Sequence, residues 1–218
     1  MLSGTDVTTL VVAVVGVGGT IGATALAQRA RRAEVAEQNR RAALERQQDR
    51  EERGLQTKRE LYAALNATGR AYRSAGRDTV LALRRGETVA TDTLDATRQA
   101  YYDQYAQAQM ILGTTALDVA GEVNQCLGAG YHLIRNLPID ASGAGSLPPA
   151  DAQLARAKRW FSGPLSDAVH LLREALRAEL GVSGAPSVEQ LTAGVVALSR
   201  AREALRQELR PLPAQQQG

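Results

Sequence analysis

The sequence has very few of the residues on which disulfide frameworks and aromatic cores are built. Its 218 residues include one cysteine, one tryptophan and one phenylalanine, and aromatic side chains make up only 4%. The single cysteine, Cys126, excludes an intramolecular disulfide and suits a reducing compartment. Because β-branched residues are also scarce beyond the N-terminus, leucine and alanine must fill the core. The composition therefore predicts an all-α fold.

The chain also lacks a clear excess of either charge. It has 26 basic and 23 acidic residues, a formal net charge of +3, and the two kinds are interleaved along most of the sequence. Lys58 and Lys158 are the only lysines, so nearly every basic residue is an arginine. Nucleic-acid-binding proteins usually gather their basic residues on one stripe. We therefore expect no nucleic-acid partner.

One long uncharged run stands near the N-terminus. Residues 7–27 read VTTLVVAVVGVGGTIGATALA, and as a helix this segment would be about 31 Å long, which matches the core of a bilayer. Arg29, Arg31 and Arg32 follow it, whereas the leader, residues 1–6, carries only Asp6 besides the terminal amine. The positive-inside rule predicts a single-pass transmembrane helix in the plasma membrane, with the leader outside and the rest cytoplasmic.

Two other interpretations fit this run less well. The letters ALA at residues 25–27 are typical of a signal-peptide cleavage site, although signal peptides carry their positive charge before the apolar run. The glycines resemble a dinucleotide-binding turn, but Gly16 and Gly18 are followed by Ile21 where the fingerprint has glycine, with Gly22 one place late. No later segment reads as a second parallel strand. A membrane span is the favoured interpretation.

Small residues dilute the hydrophobicity of this run, since it contains four glycines and four threonines. They also offer a packing surface: Gly18 and Gly22 form a GxxxG pair, with Gly19 and Ala23 beside them. Glycine is common in spanning helices without such a role, so both interpretations stay open. The three arginines that follow either contact acidic lipid headgroups or only fix the orientation.

Residues 28–54 are dominated by Arg, Glu, Gln and Ala, all good helix formers. Pairs such as Glu37 with Arg41 and Asp49 with Arg53 stand at the i,i+4 spacing that supports a helix. Large apolar residues are too few for a coiled-coil seam. We predict a solvated helical stalk of about 40 Å.

In residues 55–210, apolar residues recur every three or four positions, which predicts an antiparallel bundle of about four helices. The first ends at Gly86, and the second is a single long helix from Leu94 to Ile134. A Gly-, Ser- and Pro-rich loop follows.

The third helix should span about residues 149–180, with a kink or restart at 162–164 because proline removes a backbone donor. The fourth begins at Ser187, whose spacing to Gln190 makes a capping box. The tail, residues 211–218, should be disordered.

Groups suited to catalysis or metal binding are sparse. Cys126 and His132 are six residues apart, which is not the four-residue spacing of a helical ligand pair, and His170 lies in another predicted helix. Ser166 and Asp167 stand near His170, but triads are assembled through space and adjacency alone does not identify one. No Glu-x-x-His and no Walker-type loop occurs. We predict no catalytic residue, no cofactor and no metal site.

The layout resembles uncharacterised small single-pass membrane proteins common in actinobacteria. The similarity rests on the Val/Gly-rich N-terminal run, the Arg/Glu/Gln segment and KRELYAALNATGRAYR at residues 58–73, which together cover about the first third of the chain, and it implies no activity. We expect a non-enzymatic, membrane-anchored interaction or scaffold protein whose bundle binds an unidentified protein or a second copy of itself. The alternative is a membrane-active oligomer, a pore or signalling dimer, assembled through the Gly-rich helix.

Overall fold

The computed structural model describes residues 4–87, 89–137 and 151–209, with side chains from residue 31 onward except Ala33. Every regular element of these residues is an α-helix, as the composition predicts. The helices are α1 (Gly4–Arg84), α2 (Asp92–Ala108), α3 (Thr114–Arg135), α4 (Asp151–Ser162), α5 (Pro164–Glu179) and α6 (Val188–Leu209). The chain divides into two compact units, Met1–Gln56 and Thr57–Gly218, which we call unit 1 and unit 2.

Unit 1 contains the N-terminal part of α1. Its described side chains, from Arg31 to Gln56, are exposed except for the half-buried Ala42. Both predicted i,i+4 pairs are present, since Arg41 lies 3.1 Å from Glu37 and Arg53 lies 3.3 Å from Asp49. Residues 28–54 are thus helical, as predicted.

The predicted membrane span, residues 7–27, has a helical backbone, and its side chains lie outside the described set. Within that set, no helix is long and apolar enough to cross a membrane. The side chains of the predicted helix-packing surface also lie outside the described set; these residues are Gly18, Gly19, Gly22 and Ala23. Arg29 is likewise outside, whereas Arg31 and Arg32 are exposed. The predicted Gly-, Ser- and Pro-rich loop at 138–149 and the predicted tail at 211–218 fall outside the described residues.

Unit 2 has one hydrophobic core, whose buried members all lie between Tyr62 and Leu205. Helix α3 occupies its centre and packs against α4, α5 and α6. Its inward face is apolar except for Glu122, and Val119, Val123 and Leu127 are at most 1% exposed. Burying such a stripe is the main source of stability for amphipathic helices.

The predicted single helix from Leu94 to Ile134 is wrong, because the structure divides it into α2 and α3. The break includes Gly113, the N-cap of α3, whose ψ of 163° is extended. Leu112, inside the break, is also buried, like Ala108 at the end of α2 and Ala116 in the first turn of α3. The apolar stripe therefore continues across the turn, and its periodicity hides the interruption.

The predicted restart near residue 163 is confirmed: α4 ends at Ser162 and α5 begins at Pro164. Proline suits the first turn of a helix because it lacks the N–H that would have no intrahelical partner there. The described residues therefore form six helices. The boundary between the two units lies within α1, so unit 2 contains the end of α1 and five further helices. About four helices were predicted for the bundle.

Glycine lets two aromatic side chains of α4 approach the helices beneath them. A Cβ at Gly76 of α1 would overlap the ring of Phe161, and one at Gly130 of α3 would lie 3.0 Å from Phe161 and 3.3 Å from Trp160. Trp160 also donates a hydrogen bond to the Cys126 carbonyl at 3.2 Å. These contacts fix α4 against α1 and α3.

Candidate functional site

Glu179, the last residue of α5, joins three segments of unit 2. Its Oε1 accepts hydrogen bonds from the Tyr62 hydroxyl at 2.7 Å and the Gly113 N–H at 2.9 Å, and Lys58 Nζ lies 2.8 Å away. The first turn of α3 has no acidic residue of its own, and Gly113 has no side chain to cap it. Glu179 therefore supplies the negative charge that stabilises the N-terminus of α3.

The protonation states of this junction follow from its hydrogen bonds. Burial alone would raise the pKa of Glu179, but hydrogen bonds from Lys58, Tyr62 and the Gly113 N–H outweigh it and lower the pKa below its usual value. Burial and the Glu179 carboxylate raise the pKa of Tyr62. At neutral pH the junction therefore holds a carboxylate and a neutral phenol. Glu179 Oε2 is buried and accepts no hydrogen bond from the described residues.

An apolar cavity of about 390 Å³ lies beside Glu179 at the start of α6. Alanine, proline, valine and leucine side chains make up most of its lining. The described lining residues are Gly113, Thr114, Thr115, Ala116, Ala175, Ala178, Glu179, Pro186, Val188 and Leu191. A mainly apolar pocket with one charged group is typical of binding sites.

Exposed apolar side chains gather around this cavity. Among the described residues of unit 2, six large apolar side chains are exposed: Met110, Ile111, Val182, Val188, Val196 and Leu209. Four of them, Met110, Ile111, Val182 and Val188, either line this cavity or lie within three residues of one that does, and we call these four the apolar end. The Ile111 carbonyl, for example, accepts a hydrogen bond of 3.4 Å from the Tyr62 hydroxyl, which also donates to Glu179. Contiguous exposed apolar surface is a mark of interaction sites.

A second cavity, of about 500 Å³, lies between α2, α3 and α6, and we call it the polar cavity. Its described lining is Tyr105, Gln109, Thr115, Leu117, Asp118, Val119, Gly121, Glu122, Gln125, Thr192 and Val195. Thr115 lines both cavities. The described lining of the polar cavity contains two carboxylates and no basic side chain.

Glu122, one of the lining residues of the polar cavity, belongs to a buried ion pair. Arg202 of α6 donates to both oxygens of Glu122, at 2.8 and 3.1 Å. Cys126 lies one turn along α3, with its Sγ 3.8 Å from Glu122 Oε1. Burial, with the neighbouring Glu122 carboxylate, raises the pKa of the Cys126 thiol to about 12. The thiol is therefore protonated at neutral pH and is a poor nucleophile.

The tyrosines of unit 2 form a cluster with two different environments. In the core, the hydroxyls of Tyr72 and Tyr101 are buried with no hydrogen-bond partner among the described residues. At the rim, Arg98 lies 5.0 Å from the ring centre of Tyr102 and 4.4 Å from that of Tyr131. Both distances are typical of cation–π contacts.

The remaining polar candidates are scattered. His132 and His170 are exposed on α3 and α5, and His170 Nδ1 lies 2.8 Å from Arg173. In the part of the chain that the structure describes, no three His, Cys, Asp or Glu side chains gather into a group that could hold a metal. The sequence did not reveal the Glu122–Arg202 pair or the Glu179 junction, because each joins residues far apart in the chain.

Comparisons with known proteins do not place this chain in a family. No protein-family model matches it, and no curated protein or solved structure matches it either.

Proposed function

We propose that this chain is a membrane-anchored, non-enzymatic interaction protein that binds another protein through the apolar end of unit 2. The observation that carries the proposal is the concentration of exposed apolar side chains there, four of the six in the described part of this unit. The charge-free run at residues 7–27 would act as the anchor. Anchoring raises the local concentration of a binding module and so strengthens weak contacts.

The docking surface combines the exposed side chains of the apolar end with the apolar cavity. Met110 is 84% exposed, and the flexible thioether of methionine adapts to partners of different shape. The apolar cavity, which Val188 lines, is about 390 Å³ in volume and has room for an apolar side chain of the partner. The Glu179 junction holds the α2–α3 turn and the end of α5 in place, which limits the entropy lost on docking.

A non-enzymatic role is supported by the pairing of the buried carboxylates with other groups of the fold. Glu122 is paired with Arg202, and Glu179 is engaged by Lys58, Tyr62 and the N-terminus of α3. Internal pairs of this kind hold helices together. They leave these groups poorly placed to exchange protons with a substrate.

Cell fractionation tests the anchor. The full-length chain and a variant that lacks residues 1–27 are compared for recovery with membranes, and protease is added to intact spheroplasts. We expect only the full-length chain to pellet with membranes, and its bundle to resist external protease. A soluble full-length chain, or a bundle digested from outside, would overturn the anchor or its orientation.

Site-specific photo-crosslinking tests the docking surface. A photoreactive amino acid replaces Met110, and a matched control replaces Glu203, which is exposed on α6 and lies fifteen residues, or about 22 Å, beyond Val188. We expect a discrete crosslink to another protein from position 110 alone. Crosslinks only between copies of this chain that disappear in a Gly18→Leu, Gly22→Leu variant would instead support the oligomer assembled through the glycine-rich helix. Equal crosslinking from both positions would contradict the docking surface.

A further inference from the structure

The polar cavity has a charge that its described lining does not balance. Both oxygens of Glu122 are taken by Arg202, so this carboxylate is fixed in the wall. Asp118, one turn earlier on α3, also lines the cavity and is exposed. It makes no ion pair with any described residue. The described part of the cavity therefore presents one carboxylate whose charge is available to a ligand.

An aromatic ring stands in the same lining. Tyr105 of α2 is half-buried, and its ring is stacked on that of Tyr101 with centroids 6.0 Å apart and planes 9° from parallel. This stacking holds the ring in place. Gly121 of α3 belongs to the same lining, and a Cβ there would be at ordinary contact distance, 3.8 Å, from the Tyr105 hydroxyl. An aromatic ring and an unpaired carboxylate in one lining are groups that attract cations with aliphatic chains.

We propose that the polar cavity binds a small organic cation, a primary ammonium group on a short aliphatic chain. Asp118 pairs with the ammonium group, and the Tyr105 ring faces it. The half-buried apolar lining residues Leu117 and Val195 contact the aliphatic chain, and the side-chain amides of Gln109 and Gln125 offer further acceptors. This site goes beyond the proposed function, because it requires neither the anchor nor a partner at the apolar end.

The lining also discriminates between classes of ligand. An anion would meet the unpaired carboxylate of Asp118, and no basic side chain belongs to the described lining, so like charges would repel. A hard metal cation such as Ca²⁺ needs six to eight oxygen ligands, and the described residues gather no such group. An organic ammonium ion needs only one carboxylate and an aromatic face.

Calorimetric titration tests the site with n-butylammonium as the probe, and with butyrate and 1-butanol as matched ligands of opposite and zero charge. The full chain is held in nanodiscs of zwitterionic lipid, and empty nanodiscs give the blank. We expect saturable one-to-one binding of n-butylammonium and dissociation constants at least about tenfold higher for the other two ligands. No saturable binding of n-butylammonium, or equal binding of butyrate, would overturn the proposal.

Three variants and a control locate the binding. Asp118→Asn should raise the dissociation constant at least about tenfold, whereas Asp103→Asn, exposed on α2 and outside the described lining, should leave it unchanged. Tyr105→Phe should retain binding because it keeps the ring, and Tyr105→Leu should weaken it several-fold. Fluorescence of the buried Trp160 confirms that each variant is folded. Wild-type affinity in a folded Asp118→Asn variant would contradict the site.

Discussion

Arg202 in α6 and Glu122 in α3 form a bidentate ion pair whose side chains are only 10% and 8% exposed. The two residues are 80 positions apart in the chain, and their pairing ties the last helix of unit 2 to the central one. The apolar residues of α6 that reach the core are few: Leu191, Leu198 and Leu205 are buried at seven-residue intervals. Arg202 is the only other buried residue of α6, so its ion pair adds to the attachment of this helix to the core.

Replacing Arg202 with methionine should destabilise unit 2 by about 3–5 kcal/mol, because the Glu122 carboxylate would remain buried without a partner. Urea unfolding at pH 7 measures the effect through the fluorescence of Trp160, the only tryptophan. The double variant Arg202→Met, Glu122→Leu should recover most of the loss, since it removes the unpaired charge. Arg206→Met is the control: this side chain is 61% exposed, and its loss should change the free energy of unfolding by less than about 0.5 kcal/mol. An equal effect at both arginines would show that the buried pair has no special role.

Replacing Glu179 with glutamine should lower the free energy of unfolding by about 1–2 kcal/mol at neutral pH, because the charged hydrogen bonds of the junction become neutral ones. The pKa of Glu179 is lower in the folded protein than its ordinary value of 4.5. The stabilisation is therefore complete above about pH 4.5 and is lost as the pH falls through the lowered pKa. Urea unfolding of both proteins between pH 3 and 7 should show their difference shrinking below pH 4.5. A difference that does not change with pH would contradict a role for the carboxylate charge.

Much of the helical layout could be predicted from the sequence, because helix ends depend on neighbouring residues. Gly181 ends α5 at a φ of 69°, and Ser187 and Gln190 form the reciprocal hydrogen bonds of a capping box at 3.3 and 2.9 Å. Both features follow from local chemistry. The break between α2 and α3 does not, since its N-cap Gly113 is stabilised by Glu179, which lies 66 residues away.

The candidate sites were harder to predict for the same reason. A single sequence does not show that Asp118 and Tyr105 line one cavity, or that the exposed residues Met110 and Val182 lie at the same end of unit 2. An arginine such as Arg202 is ordinarily assigned to the solvent face of its helix, because arginine is rarely buried without a partner. Its partner, Glu122, is supplied only by the tertiary fold.

Replacing Gly76 with alanine should destabilise unit 2 by about 1–3 kcal/mol, although alanine is the better helix former. A Cβ at this position would overlap the ring of Phe161 and force α1 and α4 apart. The matched control is Gly128→Ala in α3, where a Cβ would have no neighbour within 4 Å. That variant should gain up to about 1 kcal/mol from helix propensity. Thermal unfolding followed by Trp160 fluorescence compares the two, and equal changes at both positions would contradict the close approach of Phe161.

Cys126 should resist thiol reagents for as long as unit 2 is folded. The side chain is fully buried, and burial raises the pKa of its thiol to about 12, so the reactive thiolate is scarce at pH 8 and no reagent can reach it. Labelling with iodoacetamide should therefore proceed only through unfolding, and its rate should rise with urea in parallel with the unfolded fraction.

A Ser162→Cys variant provides the reference for this measurement, because Ser162 is exposed at the end of α4. Its added thiol should react at the rate of a free cysteine in native buffer, while Cys126 in the same molecule remains unmodified. The Arg202→Met variant should then label faster at Cys126, since that arginine holds α6 over Glu122 and the thiol beside it. Rapid labelling of Cys126 in the native wild-type chain would mean that this part of α3 opens to solvent without global unfolding, and the ion pair would then not be the contact that keeps α6 closed.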